Sequence, residues 1–453
     1  MINEVYFDNI YNLDLTNILM ECDISNVNNN IDGNMNKVII LKKYTYNNIA
    51  YNILKYNKLV YNELDNDKKN DYLNIRSLIF KDGKLVVFSP PKSIDYGLFV
   101  ENYNKEDCYC EDFIDGTMIN VFYDDTNKCW EIATRSTIGG NNYFYDDYSN
   151  VYNTMYNTDN VEKRKIKTFR DMFFQACEYN NFNINNLVIG YTYTFVIQHP
   201  YNRIVTPIIV PVLYLVKIYK INCIDSDGNK CLKYSIENIN MQSFNENNRS
   251  ILENTSLKYV YRYPIDSFEN VYNTFSNDTC EYYCLGIMLY NKNGSRSKVR
   301  NPNYNNVKLL RGNNPKLQYN FFCLKRENRI SEFLNYYPEH INVFNKFRND
   351  MYNYTYNLFT NYVKCYIKKE KELKKFEFEY KVHMYNIHKL YLETLKNDKK
   401  YVDKKFVIDY VNKLHPAQQM FLINYSNYEH KKKNTQSMGC DKLSQEVCNM
   451  EVN

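Results

Sequence analysis

From Val38 onward, short runs of β-branched and aromatic residues follow one another too closely to leave room for long helices. The series is VIILKKYTY, YNILKYNKLVYNEL, IRSLIF, KLVVFS, TMINVFYD and CWEIATRS. Asp82-Gly83 separates two of these runs and predicts a tight hairpin turn. Asp124-Asp125-Thr126-Asn127 predicts another. Over 166–178 the period changes: Phe169, Met172, Phe173, Ala176 and Cys177 form one apolar helical stripe. Strands resume with LVIGYTYTFVIQ, RIVTPIIVPVLYLVKIY and YYCLGIMLY. This alternation predicts an α+β domain of antiparallel sheets with helices.

After about Glu327 the texture becomes helical. Phe344, Phe347, Met351, Tyr354 and Leu358 step by three and four, which fits a long helix starting near Pro338. Val382, Tyr385, His388, Leu392 and Leu395 predict a second helix, and Phe406 to Leu414 a third. The expected organisation is an extension over 1–36 with a short helix or two, an α+β domain over 37–327, an all-helical basic domain over 328–428, and a disordered tail over 429–453.

Forty-seven Tyr and 25 Phe give too much aromatic surface for a disordered chain. The Asn, Tyr, Ile and Lys bias matches AT-only codons and reports on a genome more than on a function. Net charge is only +5, but Asn291 to Arg326 holds nine Lys or Arg and no acid, a local surplus suited to a polyanion or a solvated basic loop. The 13 Cys lack paired spacing and read as free thiols in a reducing compartment, with no structural metal. Without a signal-peptide pattern or an apolar run of membrane-spanning length, the chain reads as soluble and cytoplasmic.

Four segments carry chemistry, in this order: Glu111-Asp112-Phe113-Ile114-Asp115-Gly116-Thr117; Trp130 to Gly140, with Arg135; Thr194-Phe195-Val196-Ile197-Gln198-His199-Pro200-Tyr201-Asn202-Arg203-Ile204-Val205; and Leu285-Gly286-Ile287-Met288, followed by Lys298-Val299-Arg300 and Tyr304. The series resembles the phage-type RNA ligases of the covalent nucleotidyltransferase superfamily over residues 70–310. With FSPPKS and IDGTMI it looks like the ligase-like proteins of large DNA viruses. The resemblance implies a nucleotidyltransferase (ATP-grasp-like RNA/DNA ligase) fold, ATP or GTP with Mg²⁺, and RNA as partner, tRNA or another structured RNA. The helical remainder is similar to the tRNA-binding end of such ligases.

In that family a Lys amine attacks the nucleotide α-phosphate, carboxylates hold the metal, and further cations clamp the phosphates. This chain has Phe113 at the nucleophile position, and Val196 and Leu285 where the family has Glu. Two readings follow. In one, Lys92 is a displaced nucleophile, Asp115 and Glu111 position substrate or metal, and Arg76, Gly116, Arg135, Arg203, Lys298 and Arg300 contact the nucleotide. In the other, the domain is a pseudoenzyme that binds RNA. A capping-type guanylyltransferase is a third possibility, weakened because helices rather than a barrel pattern follow Arg300. Plainer readings stand beside these: Lys92 as a turn lysine, Asp115-Gly116 as a turn, and His383 and His388 as surface or core residues. The interleaved Lys and aromatics of 364–381 fit either RNA or a solvated helix face.

Overall fold

The computed structural model describes residues 9–16, 18, 38–144, 168–227, 230–241, 244–245, 248, 253–260 and 262–425; the expected tail lies outside them. The chain divides into two compact units, the first ending at Arg311 and the second taking up at Gly312. That division falls earlier than the boundary expected at 327, because the chain is already helical over Pro302–Arg311 and Leu317–Arg326.

In the first unit the chain runs β1 (Asn9–Asp14), β2 (Ile39–Tyr46), β3 (Ile49–Tyr56), α1 (Lys58–Glu63), α2 (Asn66–Asp71), β4 (Leu78–Lys81), β5 (Lys84–Phe88), α3 (Tyr96–Asn102), β6 (Cys108–Asp112), β7 (Thr117–Asp124) and β8 (Cys129–Ala133). It continues through α4 (Phe169–Tyr179), β9 (Tyr191–Gln198), β10 (Val212–Asp227), β11 (Lys230–Asn238), β12 (Lys258–Tyr259), β13 (Arg262–Tyr263), α5 (Phe268–Phe275), β14 (Gly286–Asn291), β15 (Arg296–Arg300) and α6 (Pro302–Arg311). These strands build three sheets: β1-β11-β10-β9-β7-β8 with β12 beside β10, then β13-β6-β14-β15, then β2-β3-β4-β5. The unit is α+β, and its paired strands are antiparallel except β10 with β12.

Local chemistry accounts for the elements. Asp82 and Gly83 take positive φ (49° and 76°) and close the β4–β5 hairpin. Thr168 and Asp171 form a capping box that starts α4, whose five-residue apolar stripe is buried against Ile119, Val121, Phe195, Ile197, Leu213 and Leu215 of the large sheet. The opposite face of that sheet contributes Tyr11, Tyr219, Tyr234 and Ile236 to a core shared with Leu41, Leu54, Leu78 and Phe88. In the β6 sheet, one face packs Cys108, Cys110, Ile287, Leu289 and Val299 with Phe99. The other face carries Glu111, Arg296, Lys298 and Arg300.

Four local expectations change. The extension expected to be helical contains strand β1, because Tyr11 and Leu13 are buried while Ile10 and Asn12 are exposed, a period of two. The run YNILKYNKLVYNEL is a strand only to Tyr56. The Asn57 side chain then accepts from the Leu59 N–H and starts α1, so the β-branched texture overstated strand. The third change concerns the cysteines. Cys223 and Cys231 form a disulfide across the β10–β11 hairpin, with Cα atoms 6.0 Å apart. Antiparallel pairing brings together two thiols that look unrelated along the chain.

The fourth lies in the second unit, which holds α7 (Leu317–Arg326), α8 (Ile330–Tyr336), α9 (Ile341–Tyr362), α10 (Phe378–Leu390) and α11 (Lys404–Lys413). The expected stripe of α9 is buried throughout. In α10, Val382 and Tyr385 are exposed, as is Leu392 just beyond it, while Met384 and Ile387 are buried. Two apolar faces were available, and the rings of Tyr380 on Tyr354 and His388 on Tyr366 fixed the choice. Of the aromatics in 364–381, Tyr366 and Tyr380 are engaged in these stacks and Phe376 is buried; Phe378 is exposed. Among the described residues, no helix is long and apolar enough to cross a membrane.

Candidate functional site

The polar face of the β6 sheet follows from strand alternation. On β15, Arg296, Lys298 and Arg300 lie at i, i+2 and i+4 and therefore share one face. The register sets Arg296 beside Tyr290, Lys298 beside Met288 and Arg300 beside Gly286, with Tyr109 and Glu111 one strand further on, across Tyr290 and Met288. Phe113 follows β6, and its N–H donates to the Gly286 carbonyl at 3.3 Å. The Arg300 guanidinium stands 5.8 Å from the Phe113 ring centre. Phe113 thus borders the row of cations.

Other segments add to this row. Arg76 and Arg296 both donate to the Pro90 carbonyl, at 3.4 and 3.3 Å, which ties β15 to the turn that presents Lys92. Lys92 Nζ sits 3.6 Å from the Tyr61 ring centre, and the Arg135 guanidinium 5.1 Å from that of Tyr56. A Tyr face seats a cation without cancelling its charge. Helix α1, absent from the sequence expectation, is what supplies Tyr61. Beside Lys92 opens a cleft of about 530 Å³ whose lining, including Tyr11, Asn70, Asn74 and Ser295, contains no Asp or Glu.

The electrostatic result is a concentration of unneutralised charge. Burial, then Arg300, Arg296, Lys92 and Arg76, pushes Lys298 down to about 8. Burial, then Lys69, Arg135 and Lys58, likewise pushes Lys92 to about 8. Arg76 is lowered to about 10 by burial and Arg296. Lys308 on α6 and Lys55 on β3 are also lowered, each by burial first and then by neighbouring cations. Among the described residues, no carboxylate comes within 4.0 Å of the charged nitrogens of Arg76, Lys92, Arg135, Arg296, Lys298 or Arg300. The Nε atoms of Arg135, Arg296 and Arg300 are buried without a hydrogen-bond acceptor. Buried donors of this kind are costly unless a ligand supplies acceptors. An anion with several oxygens is the complement.

No protein-family model and no curated protein matches the chain.

The site residues expected from sequence fall into two groups. Arg76, Lys92, Arg135, Lys298 and Arg300 come together. Glu111, Asp115, Gly116 and Arg203 are built into the scaffold. Glu111 is buried, with both oxygens 2.8 Å from Lys217 Nζ and one 3.0 Å from Arg262 Nε. Asp115 accepts from the Tyr304 hydroxyl at 2.8 Å and from the N–H groups of Val205 and Thr206 at 3.2 and 3.0 Å. Gly116 has φ +151°, and a Cβ there would lie 2.4 Å from the Ile197 carbonyl oxygen, so its role is the close approach of β7 to β9. Arg203 is buried, and its Nε donates to the Val205 carbonyl at 3.1 Å. Arg296, Lys308, Lys55, Lys217 and Arg262 were missed. The alternation Arg-Ser-Lys-Val-Arg could have revealed Arg296; the others carry no local signal.

The metal implied by the resemblance does not fit these residues. Both oxygens of Glu111 face cations, and both oxygens of Asp115 already accept hydrogen bonds. Val196 and Leu285 offer no oxygen. Among the described residues, no group of three or more His, Cys, Asp or Glu could hold a metal ion.

The lowered lysines set a pH dependence. Lys92 and Lys298 lose charge as pH rises through about 8. Affinity for inorganic tripolyphosphate is therefore expected to fall about tenfold or more between pH 7.5 and 9.5, where an ordinary lysine stays protonated. In the ligand-free protein these two lysines act oppositely: from about pH 8 to 10 each binds more protons in the unfolded chain, so the stability they contribute rises with pH, while buried thiols such as Cys110 and Cys177, pushed up by burial, contribute a falling slope. Calorimetry of tripolyphosphate binding across this range checks the first slope, and melts of the ligand-free parent against Lys298→Met check the second; binding that is flat to pH 9.5 would remove the two lysines from the site.

Proposed function

We propose that the first unit is a nucleotidyltransferase-like domain of the RNA-ligase kind that grips the phosphates of a nucleotide or an RNA end, and that its metal-assisted transfer chemistry has been lost. The observation that carries this reading is the convergence of Arg76, Lys92, Arg135, Arg296, Lys298 and Arg300 without a neutralising acid. The motif order from Glu111 to Tyr304 supports the family. Phe113, Val196 and Leu285 support the loss of transfer, since Phe cannot attack phosphorus and neither aliphatic residue can ligate a hard cation. The expected ligands are RNA, including a structured RNA such as tRNA, and ATP or GTP bound through its phosphates. In the second unit, the exposed stacked rings of Tyr352 and Tyr356, with Lys404 at 4.7 and 5.3 Å from their centres, offer a surface for base stacking.

One observation favours a second reading. With Lys92 pushed to about 8, roughly one-tenth of it is free amine at neutral pH, as a displaced nucleophile requires. A single experiment separates the two. The protein is incubated with radiolabelled ATP, then GTP, with Mg²⁺, and run on a denaturing gel beside a titration of single-stranded RNA against salt. The expected outcome is no retained label and RNA binding whose log K falls with log salt at a slope of about −4, for six cations on a single strand. A label that survives denaturation and disappears in Lys92→Ala would establish the displaced nucleophile. No binding of RNA or nucleotide would end both readings.

A further inference from the structure

Strand β10 contains an irregularity that decides what faces the cation row. Against β9, Leu215 pairs with Phe195 and Lys217 with Thr194, so Val216 is an extra residue, a β-bulge. Before it, Leu213 and Leu215 point into the core beneath α4; after it, Ile218 does. The inward set shifts from odd to even positions. Regular alternation would aim Lys217 into that apolar core with Leu213 and Leu215. The bulge turns it to the opposite face, together with Tyr219, which packs in the core on that side. There its Nζ meets both oxygens of Glu111 and stands 4.1 Å from the Tyr290 ring centre. The Tyr290 hydroxyl in turn accepts from Arg296 at 3.4 Å. Arg262 reaches the second side of Glu111 from β13.

This assembly has the composition of a metal centre with the metal replaced. One buried carboxylate holds two protein cations, leaving a net positive charge one tyrosine away from Arg296. Glu111 is the buried acid that precedes the Phe113-x-Asp115-Gly116 segment, and both of its oxygens already face protein cations. We propose that the site binds phosphate groups without a divalent ion, and that Lys217, held on Glu111, supplies the fixed buried charge that a metal would otherwise bring. The inference rests on the phosphate-binding reading and specifies how that site neutralises its ligand. A cation delivered by the chain is always in place, and it cannot be removed by a chelator. Divalent ions would compete, because Mg²⁺ in solution neutralises the very phosphates that the Arg and Lys cluster attracts.

The test is the binding of inorganic tripolyphosphate to the full chain by calorimetry, in EDTA and in excess Mg²⁺. The expected result is affinity in EDTA equal to or higher than that in Mg²⁺, since no protein contact depends on the metal. An affinity that falls about tenfold or more on adding EDTA, the size of loss seen when a metal site is disturbed, overturns the proposal and leaves the phosphate site standing. No binding in either buffer overturns the phosphate reading itself. Lys217→Ala sharpens the assignment: with a Glu111 oxygen released, Mg²⁺ should raise tripolyphosphate affinity about tenfold in the variant and not in the parent. Lys217→Arg should restore indifference to metal. A folded Lys217→Ala protein that binds in EDTA as the parent does would remove Lys217 from the role. If that variant does not fold, the comparison of EDTA with Mg²⁺ on the parent chain alone decides.

Discussion

Replacing Lys298 and Arg300 together with Met will weaken tripolyphosphate binding by about 100- to 10,000-fold, at roughly 1.5–3 kcal/mol for each charged hydrogen bond lost. The same variant will melt at a higher temperature than the parent when no ligand is present. The two effects share a cause. Lys298 is half-buried among Arg300, Arg296, Lys92 and Arg76, and its lowered pKa records that its charge is unwelcome there. Arg300 adds a buried Nε with no acceptor. Removing these charges relieves repulsion in the empty site and removes the grip on phosphate. Calorimetry gives the first quantity and a thermal melt the second. A variant that binds as the parent does, or that melts lower, would mean the row serves folding rather than a ligand.

Asp115→Ala should instead damage the fold, by about 3–5 kcal/mol, because one buried carboxylate satisfies three donors at once. Its loss strands the Val205 and Thr206 N–H groups and takes from the buried Tyr304 hydroxyl its bond to Asp115. Asp115→Asn should cost less, keeping one acceptor while turning an NH₂ group toward donors. Chemical denaturation measures both. The informative comparison is with affinity: folded Asp115→Asn should bind tripolyphosphate within about threefold of the parent, because Asp115 supports the segment and does not face the anion. A variant of normal stability that fails to bind would return Asp115 to the position of a ligand contact.

Much of the framework was legible because its signals are local. Asp82-Gly83 gave the β4–β5 turn, and the stripe from Phe169 to Cys177 gave α4. The α+β reading followed from such segments. The site was legible only where it lies on short motifs: Arg76, Lys92, Arg135, Lys298 and Arg300 were all named from sequence, although their convergence was not. What escaped is non-local. Glu111 finds Lys217 across 106 residues, and Asp115 finds Tyr304 across 189. No periodicity encodes such pairings. The bulge at Val216 escaped for another reason, since it breaks the alternation on which strand reading depends. The Cys223–Cys231 link escaped for the same reason: Cys223 pairs with Tyr234 and Cys231 with Ser226, and the register shifts between them are not written in any turn motif.

The tyrosines beneath Lys92 and Arg135 bear on how the chain could acquire an anion grip at all. A coding bias toward Lys, Tyr, Asn and Ile makes flexible ammonium groups and flat phenol rings abundant, whereas arginine forks are scarcer. Setting an ammonium on a ring restricts its motion beforehand, so less disorder is lost when phosphate arrives. Association at this site should accordingly carry a favourable entropy from displaced counterions, with little charge against it for ordering side chains. A strongly biased alphabet can in this way reach pre-organisation by combining two of its abundant residues.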